Sequence, residues 1–474
     1  MTRRLLLLPL LLIGCRHPFP DIAAPPALPS GERWLQHLKQ ELLPFWMNPA
    51  AFGDPPGAFP SVRCDDGSAL DRAHPCPEVA GEPWLMEDRL HVVAHSRQIY
   101  AYGMAFHLTG DRRYLELARS GLDYLRGHAL DRKNGGAYSW RDGSGAWGPE
   151  PGKRTPQDQA YSLLGASLYY SLTRDEAVLQ DIRAVKAAIF QAAVDPELHV
   201  LRRPLVPEKL FLVDTLDQLN AYLVLTTPLL PEPEREATLR DLVRLARGIL
   251  AVFYSREEPM FYLEVPRRPG DHPDKAKNDF GTTIKALWMI RFCGLIAGDA
   301  DLVRQAEAEG RRVLDRAWLG DSSTWGERVL PEGGVGKDKI WWVSAELDQF
   351  TATLAMRSPE LASRLPAAWD YWFRRFVDPA HGEVWTRLDG ATNLPEKGSL
   401  PKQWPWKAGY HTFEHALVGY VAAQQLHGEP VVLHYAFDPA TRPGTVRPYL
   451  FEGAIRKVEP LPSGVYRVTF GDVR

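Results

Sequence analysis

Cysteine is scarce, four in 474 residues, and neither the cysteines nor the histidines fall at spacings that would hold zinc, so no metal site is expected. No Gly-x-Gly-x-x-Gly follows a strand pattern and no Walker loop is present, so no cofactor is expected either. Positive charge is not in excess. Lys and Arg number 56 against 59 Asp and Glu, a formal net charge of -3. No run of Lys or Arg breaks that balance, which argues against a nucleic-acid partner. The apolar run over residues 5–13 is too short for a membrane span, and Arg3 and Arg4 before it give it the build of a signal peptide.

The end of that run sets the expected location. Leu12-Ile13-Gly14-Cys15 resembles a bacterial lipobox, in which Cys15 becomes the lipidated N-terminus; the rival is an ordinary cleaved signal with Cys15 incidental. Arg16, not Asp, comes next, so nothing points to inner-membrane retention. The expectation is an exported lipoprotein, periplasmic or outer-membrane facing, that meets the membrane only through its anchor. Residues 16–30 are rich in Pro and Ala and read as a tether. Cys64 and Cys76 share one polar, Pro-rich loop, where an exported protein can bridge them. Cys293 lies in an apolar helix and reads as core.

Aromatic residues are abundant: 15 Trp, 17 Tyr and 18 Phe. Many of the tryptophans stand beside Gly, Pro or charged residues in loops. That placement suits a cleft for a small carbohydrate, with core packing as the plainer alternative. Apolar residues make up 45% and charged residues 24%, an ordinary composition for a soluble globular chain.

Helical periodicity predicts twelve helices, over 31–46, 89–109, 112–128, 156–173, 175–194, 211–227, 232–254, 278–297, 299–318, 338–356, 359–376 and 407–426. Short turns such as Thr109-Gly110-Asp111, Thr173-Arg174-Asp175 and Ala297-Gly298-Asp299 join pairs into antiparallel hairpins. Longer loops separate the pairs. One marker near the start of each even helix (Arg97, Asp158, Asp217, Thr282, Glu346, His411) gives steps of 61, 59, 65, 64 and 65 residues. A near-constant period of that size is a repeat of helix pairs. Six pairs closing on themselves give an all-α (α/α)6 barrel over 31–428. The even helices form its inner ring, and their N-terminal turns meet at one mouth. Beyond it, alternation at Val431, Leu433, Tyr435 and again at Tyr466, Val468, Phe470 predicts a small β-rich extension over 429–474.

Four stretches, in order, carry a family likeness: HSRQIYAYGMAFHLTGDRRYLELARSGLDYLRGHALDRKNGGAYSW, TPQDQAYSLLGASLYY, KIWWVSAELDQF and WPWKAGYHTFEHAL. Together they resemble the N-acylglucosamine 2-epimerase family, which includes cellobiose 2-epimerases and mannose isomerases. The resemblance covers roughly residues 31 to 426. It implies removal of the proton at C2 of an opened reducing sugar, passing through an enediolate. Such chemistry needs a base near neutrality and a cation for the enediolate oxygens. The resemblance assigns His411 as general acid/base, Arg97 as the enediolate cation and Glu346 of the Trp-Trp-x-x-x-Glu motif as a group that binds sugar hydroxyls or orients a base. Tyr161, Trp342 and Trp406 are candidate stacking walls, and Asp158 a further binding residue. The plainer alternatives are a structural Arg97 paired with Glu346 or Asp158, a His411 that caps or packs its helix, and aromatics that fill the core.

The departures from the family are specific. Thr282 stands where a second catalytic histidine is usual, Lys285 where a glutamate is usual, and Asp217 where the sixth helix usually carries a histidine, with Asn220 after it. Asp217 and Lys285, on neighbouring inner helices, are candidates for a pair. With one face of the enediolate short of its donor, isomerisation is expected to outweigh C2 epimerisation. An uncompensated Lys285 would favour acidic sugars. Two other functions stand beside the epimerase/isomerase: a silent glycan-binding lipoprotein, and a glycoside hydrolase or lyase using carboxylates among Asp158, Asp217 and Glu346.

Overall fold

A computed structural model of the chain describes residues 27–267, 273–274, 277–396 and 398–474. The lipobox cysteine Cys15 and most of the tether lie outside the described residues. The predicted (α/α)6 barrel is observed. Its outer helices are α1 (Gly31–Gln36, continued through His37–Leu42 to Leu43–Trp46), α3 (Arg112–His128), α5 (Glu176–Ala193), α7 (Glu234–Phe253), α9 (Ala300–Ala317) and α11 (Leu365–Tyr371 with Trp372–Phe376). The inner helices are α2 (Val92–Thr109), α4 (Pro156–Tyr161 with Leu164–Thr173), α6 (Leu212–Gln218, Leu219–Leu223 and Val224–Thr226), α8 (Phe280–Ala297), α10 (Trp341–Ala355) and α12 (Tyr410–Leu426).

Composition sorts the two rings. In α3 the buried residues Tyr114, Leu115, Ala118, Leu122 and Leu125 form one stripe, as a helix with one solvent face requires. In α2 every residue from Val92 to Leu108 is buried, and α8 is buried from Phe280 to Gly294. A helix apolar on all sides has nowhere to go but the inside. Among the described residues α8 is the only helix apolar enough to cross a membrane, and 83% of that stretch is buried within the barrel. Each inner helix packs on the next, and α12 packs back on α2, which closes the ring.

The short turns work by one device. Gly110, Arg174 and Gly298 each end a helix in the left-handed region, at φ 74°, 58° and 68°. The aspartate after each, Asp111, Asp175 or Asp299, then caps the next helix by accepting backbone N–H bonds. The observed helices begin one to three residues later than predicted where the preceding residues pair as ribbons. Arg89–His91 pairs with Trp140–Asp142, Lys209–Phe211 with Glu264–Pro266, and Lys339–Ile340 with Arg387–Leu388. These ribbons stitch neighbouring long loops together around the mouth. Cys64 and Cys76 are bridged, with Cα atoms 6.0 Å apart, and Cys293 is buried, its thiol pushed up by burial.

The extension forms a three-stranded antiparallel sheet of β1 (Val431–Tyr435), β2 (Ala454–Leu461) and β3 (Val465–Gly471), with β3 in the middle. Leu433 faces Val468 and Val431 faces Phe470 in register. The extension lies against the C-terminal ends of the inner helices. His107 bonds the carbonyl of His434, and Arg174 donates to that of Thr445. It therefore covers the end of the barrel opposite the mouth.

Candidate active site

A cavity of about 510 Å³ opens at the mouth. Its inner layer obeys a rule visible in the helix bounds. Arg97, Tyr161, Asp217, Lys285 and Glu346 are each the sixth residue of their helix, and all five line the cavity. His411, in the first turn of α12, completes the layer, and Thr282, Trp342 and Trp406 line it as well. Gly281 makes room for Trp342, because a Cβ there would lie 2.4 Å from the indole. Asp158 is the exception. It sits one turn before Tyr161, with its carboxyl toward Ser139 and Thr155, and burial raises its pKa. Gln157 takes the wall position and donates to Asp217 at 2.9 Å.

His411 is buried. Its Nδ1 lies 2.9 Å from Glu346 Oε1, and its ring is 5.8 Å from that of Trp342. With Nδ1–H donating to the carboxylate, Nε2 keeps its lone pair. Burial lowers the imidazole pKa well below 6.5, and the nearby charges of Arg97 and Lys285 add to the effect. The ring is therefore neutral, and a base, at pH 7. The packing alternative for His411 does not account for a carboxylate partner and a place in the cavity wall.

The Lys285 ammonium donates to Glu346 Oε1 at 2.7 Å, Tyr410 OH at 2.8 Å and Glu414 Oε2 at 3.1 Å, which spends all three of its donors. Burial alone would lower its pKa; Glu346 and Glu414 outweigh that and hold it at about 12. Glu346 is pushed up by burial and pulled back by Lys285. Carboxylate oxygens of Glu346 and Glu414 and a ring nitrogen of His411 lie within 4.8 Å of one another, and Lys285 is the cation that the two carboxylates hold. The expected Asp217–Lys285 pair is not formed. The long lysine side chain turns to the two carboxylates, and Asp217 is bound instead by Gln157 and by Tyr161 OH at 3.2 Å. A neutralised, saturated ammonium cannot read the charge of a substrate, so the preference for acidic sugars loses its physical basis.

Arg97 has no carboxylate partner among the described residues. Its guanidinium lies over the rings of Tyr161 (4.5 Å), Trp406 (5.2 Å) and Tyr410 (5.4 Å), donates to the Trp406 carbonyl, and leaves Nε unpartnered. The pairing of Arg97 with Glu346 or Asp158 is thus not observed. Three other buried polar atoms of the wall lack a protein partner as well: Asn220 Nδ2, Trp404 Nε1 and Glu346 Oε2. Buried polar groups are seldom left unsatisfied, and these surround a cavity of ligand size. Thr282 offers no free hydroxyl. It donates to Asp279 at 2.9 Å, and Asp279, the cap of α8, is pushed by burial to about 6.

Sequence reasoning missed Glu414, Tyr410, the role of Asn220, and Gln157. Tyr410 reads as part of an apolar stripe. A lysine on an inner helix was itself the signal, because it needs buried carboxylates within reach, and α10 and α12 each supply one.

Comparison with known proteins bears on the fold and the family likeness. The model of the N-acylglucosamine 2-epimerase (GlcNAc 2-epimerase) family matches residues 80–203. A cellobiose 2-epimerase of Bacteroides fragilis is 23% identical over 408 residues, covering 79% of this chain and 95% of that one. Among solved structures, the cellobiose 2-epimerase of Bacillus thermoamylovorans superposes with a TM-score of 0.69 at 17% identity, covering 82% of this chain and 98% of that one. A D-mannose isomerase superposes at 0.67 and 16%, covering 84% and 99%. The resemblance to the family read from the sequence is borne out, and the barrel is the fold of these structures.

Proposed function

We propose that the protein is a sugar epimerase/isomerase that enolises a reducing sugar at C2, with His411 as the base. The observation that carries this is the pairing of a buried, neutral His411 with Glu346 beside Arg97, a cation with no carboxylate partner among the described residues. His411 Nε2 takes the C2 proton of the opened sugar, and Glu346 stabilises the imidazolium that results. Arg97 meets the oxygens of the enediolate left behind. Asn220 and Trp404 supply donors for sugar hydroxyls, and Trp342 and Trp406 supply apolar walls.

The second face of the enediolate is served by Asp217. Its helix α6 stands three steps from α12 in the closed ring, hence across the cavity, and burial lifts its carboxyl to about 6. A carboxylic acid there returns a proton to the face opposite His411 and gives the C2 epimer. Return of the proton by His411 to C1 gives the ketose. This supports epimerisation alongside isomerisation, where Thr282 alone would leave isomerisation dominant. The hydrolase reading is weaker, since Asp158 is outside the cavity and Glu346 is held by Lys285 and His411.

The test is incubation with aldoses, ketoses and uronates in deuterium oxide. Deuterium is expected at C2 of the recovered aldose, together with epimer. Asp217→Asn should cut epimer formation at least about tenfold while ketose formation falls less. Absence of label from every sugar, with binding seen by calorimetry, would support the silent glycan-binding reading instead.

We also propose export as a lipoprotein anchored through Cys15, a reading that the bridged Cys64–Cys76 pair supports because such bonds persist in oxidising compartments. Cys15→Ala should move the protein from the membrane fraction to the soluble one; an unchanged distribution would rule the anchor out.

A further inference from the structure

We infer that Tyr449, contributed by the C-terminal extension, is a positioning residue for the His411–Glu346 pair and acts on it through Glu414 and Lys285. The inference rests on the enolising role of His411 proposed above, and it gives the extension a part in the chemistry at the far end of the barrel.

The path is continuous and buried. Tyr449 OH donates to Glu414 Oε1, and Tyr100 OH lies against the same phenol. The other oxygen of Glu414 accepts from Lys285, whose ammonium also bonds Glu346 Oε1, the atom that holds His411 Nδ1. Glu346 Oε2 has no hydrogen-bond partner among the described residues. Among the described residues, the hydrogen bonds that place Glu346 come from Lys285 and His411. Tyr449 itself is held at φ 62°, a left-handed backbone that a bulky residue adopts only where its surroundings impose it. That backbone is what carries the phenol from the extension into the barrel. Burial keeps the phenol protonated, so it remains a donor.

The charged groups facing the His411–Glu346 pair are Arg97, Lys285, Lys407 and Glu414, with His415 beyond Glu346. Glu414 is faced by Lys285 and by the phenols of Tyr100, Tyr410 and Tyr449. Without the Tyr449 proton, Glu414 draws Lys285 toward itself. The ammonium then opposes a proton on His411 less strongly and loosens its hold on Glu346 Oε1, the atom that accepts from the imidazole, so His411 becomes easier to protonate.

The pH–rate profile of C2 deuterium exchange in the full chain tests this. Tyr449→Phe should lower kcat about tenfold with KM within about twofold, and move the acid limb up by about one pH unit. Tyr435→Phe is the structural control. It removes the bond from Tyr435 to the Arg447 carbonyl within the extension without touching Glu414, and should leave the limb in place. A wild-type limb and kcat in Tyr449→Phe, or an equal shift in Tyr435→Phe, overturns the inference. If the wild type exchanges no sugar, the enolising role fails by itself. The inference is then read from the ¹⁵N resonances of the His411 ring, assigned by their loss in His411→Gln. Their titration midpoint should still rise in Tyr449→Phe, and an unchanged midpoint overturns it.

Discussion

Lys285→Glu should destabilise the barrel before it changes any substrate preference. The substitution supplies the charge that the family resemblance implies for this position, so the sequence alone suggests a harmless retuning of the pocket. The structure gives the opposite result. Lys285 is buried between Glu346 and Glu414, at 2.7 and 3.1 Å. A glutamate there would bring three carboxylates together around a centre that now holds a cation. Removing one partner of a buried ion pair costs about 3–5 kcal/mol, because the remaining charge is left uncompensated. Here two charges are left and a third is added, so at least the upper part of that range is expected, with a melting temperature lower on the order of 5–10 °C. Lys285→Met isolates the charge term. It leaves the pair of carboxylates free to share one proton, and should destabilise less than the glutamate. Thermal unfolding of the three proteins decides the matter. A Lys285→Glu protein that melts within a degree of wild type and exchanges acidic for neutral sugars would show that the ammonium reads the substrate after all.

The barrel was legible because its evidence is periodic. Six markers about sixty residues apart, and three turns ending in a helix-capping aspartate, are patterns that a closed ring of hairpins imposes on any sequence. The strands of the extension were legible for the same reason, through alternation at Val431, Leu433 and Tyr435. Pair choices were not. Asp217 and Lys285 do lie on neighbouring inner helices, but a lysine has three donors on a long stem. It went to the side where two carboxylates and a phenol could satisfy all three. Glu414 is hard to see because it comes three residues after His411 inside an apolar helix. Asp158 stands one turn too early on its helix, which places it against Ser139 and not in the cavity. Tyr449 lies in a stretch with no period at all, where only the folded chain shows that a residue of the extension reaches Glu414 on an inner helix.

His411→Ala should abolish C2 proton exchange and leave the fold nearly intact. A positioned general base contributes about two to four orders of magnitude, and this site has one neutral imidazole in place for the first step. Its loss should therefore lower exchange by about a thousandfold with all sugars alike. The stability cost is small by comparison. The ring gives up one hydrogen bond, to Glu346, and its packing against Trp342, while Lys285 remains on Glu346 to hold the carboxylate; about 1–2 kcal/mol is expected. The pH dependence carries the same assignment. Burial, with Arg97 and Lys285, puts the folded pKa of His411 well below the ordinary 6.5. The neutral base thus persists as pH falls through 6.5, and wild-type activity should decline only on crossing the lowered value. For stability the sign is also fixed. The unfolded chain takes up a proton near 6.5 that the folded His411 refuses, so this residue costs stability as pH falls below about 6.5, and His411→Ala should remove that loss. A variant that keeps half the wild-type exchange rate while melting far earlier would mark His411 as a packing residue and return the search for the base to Asp217.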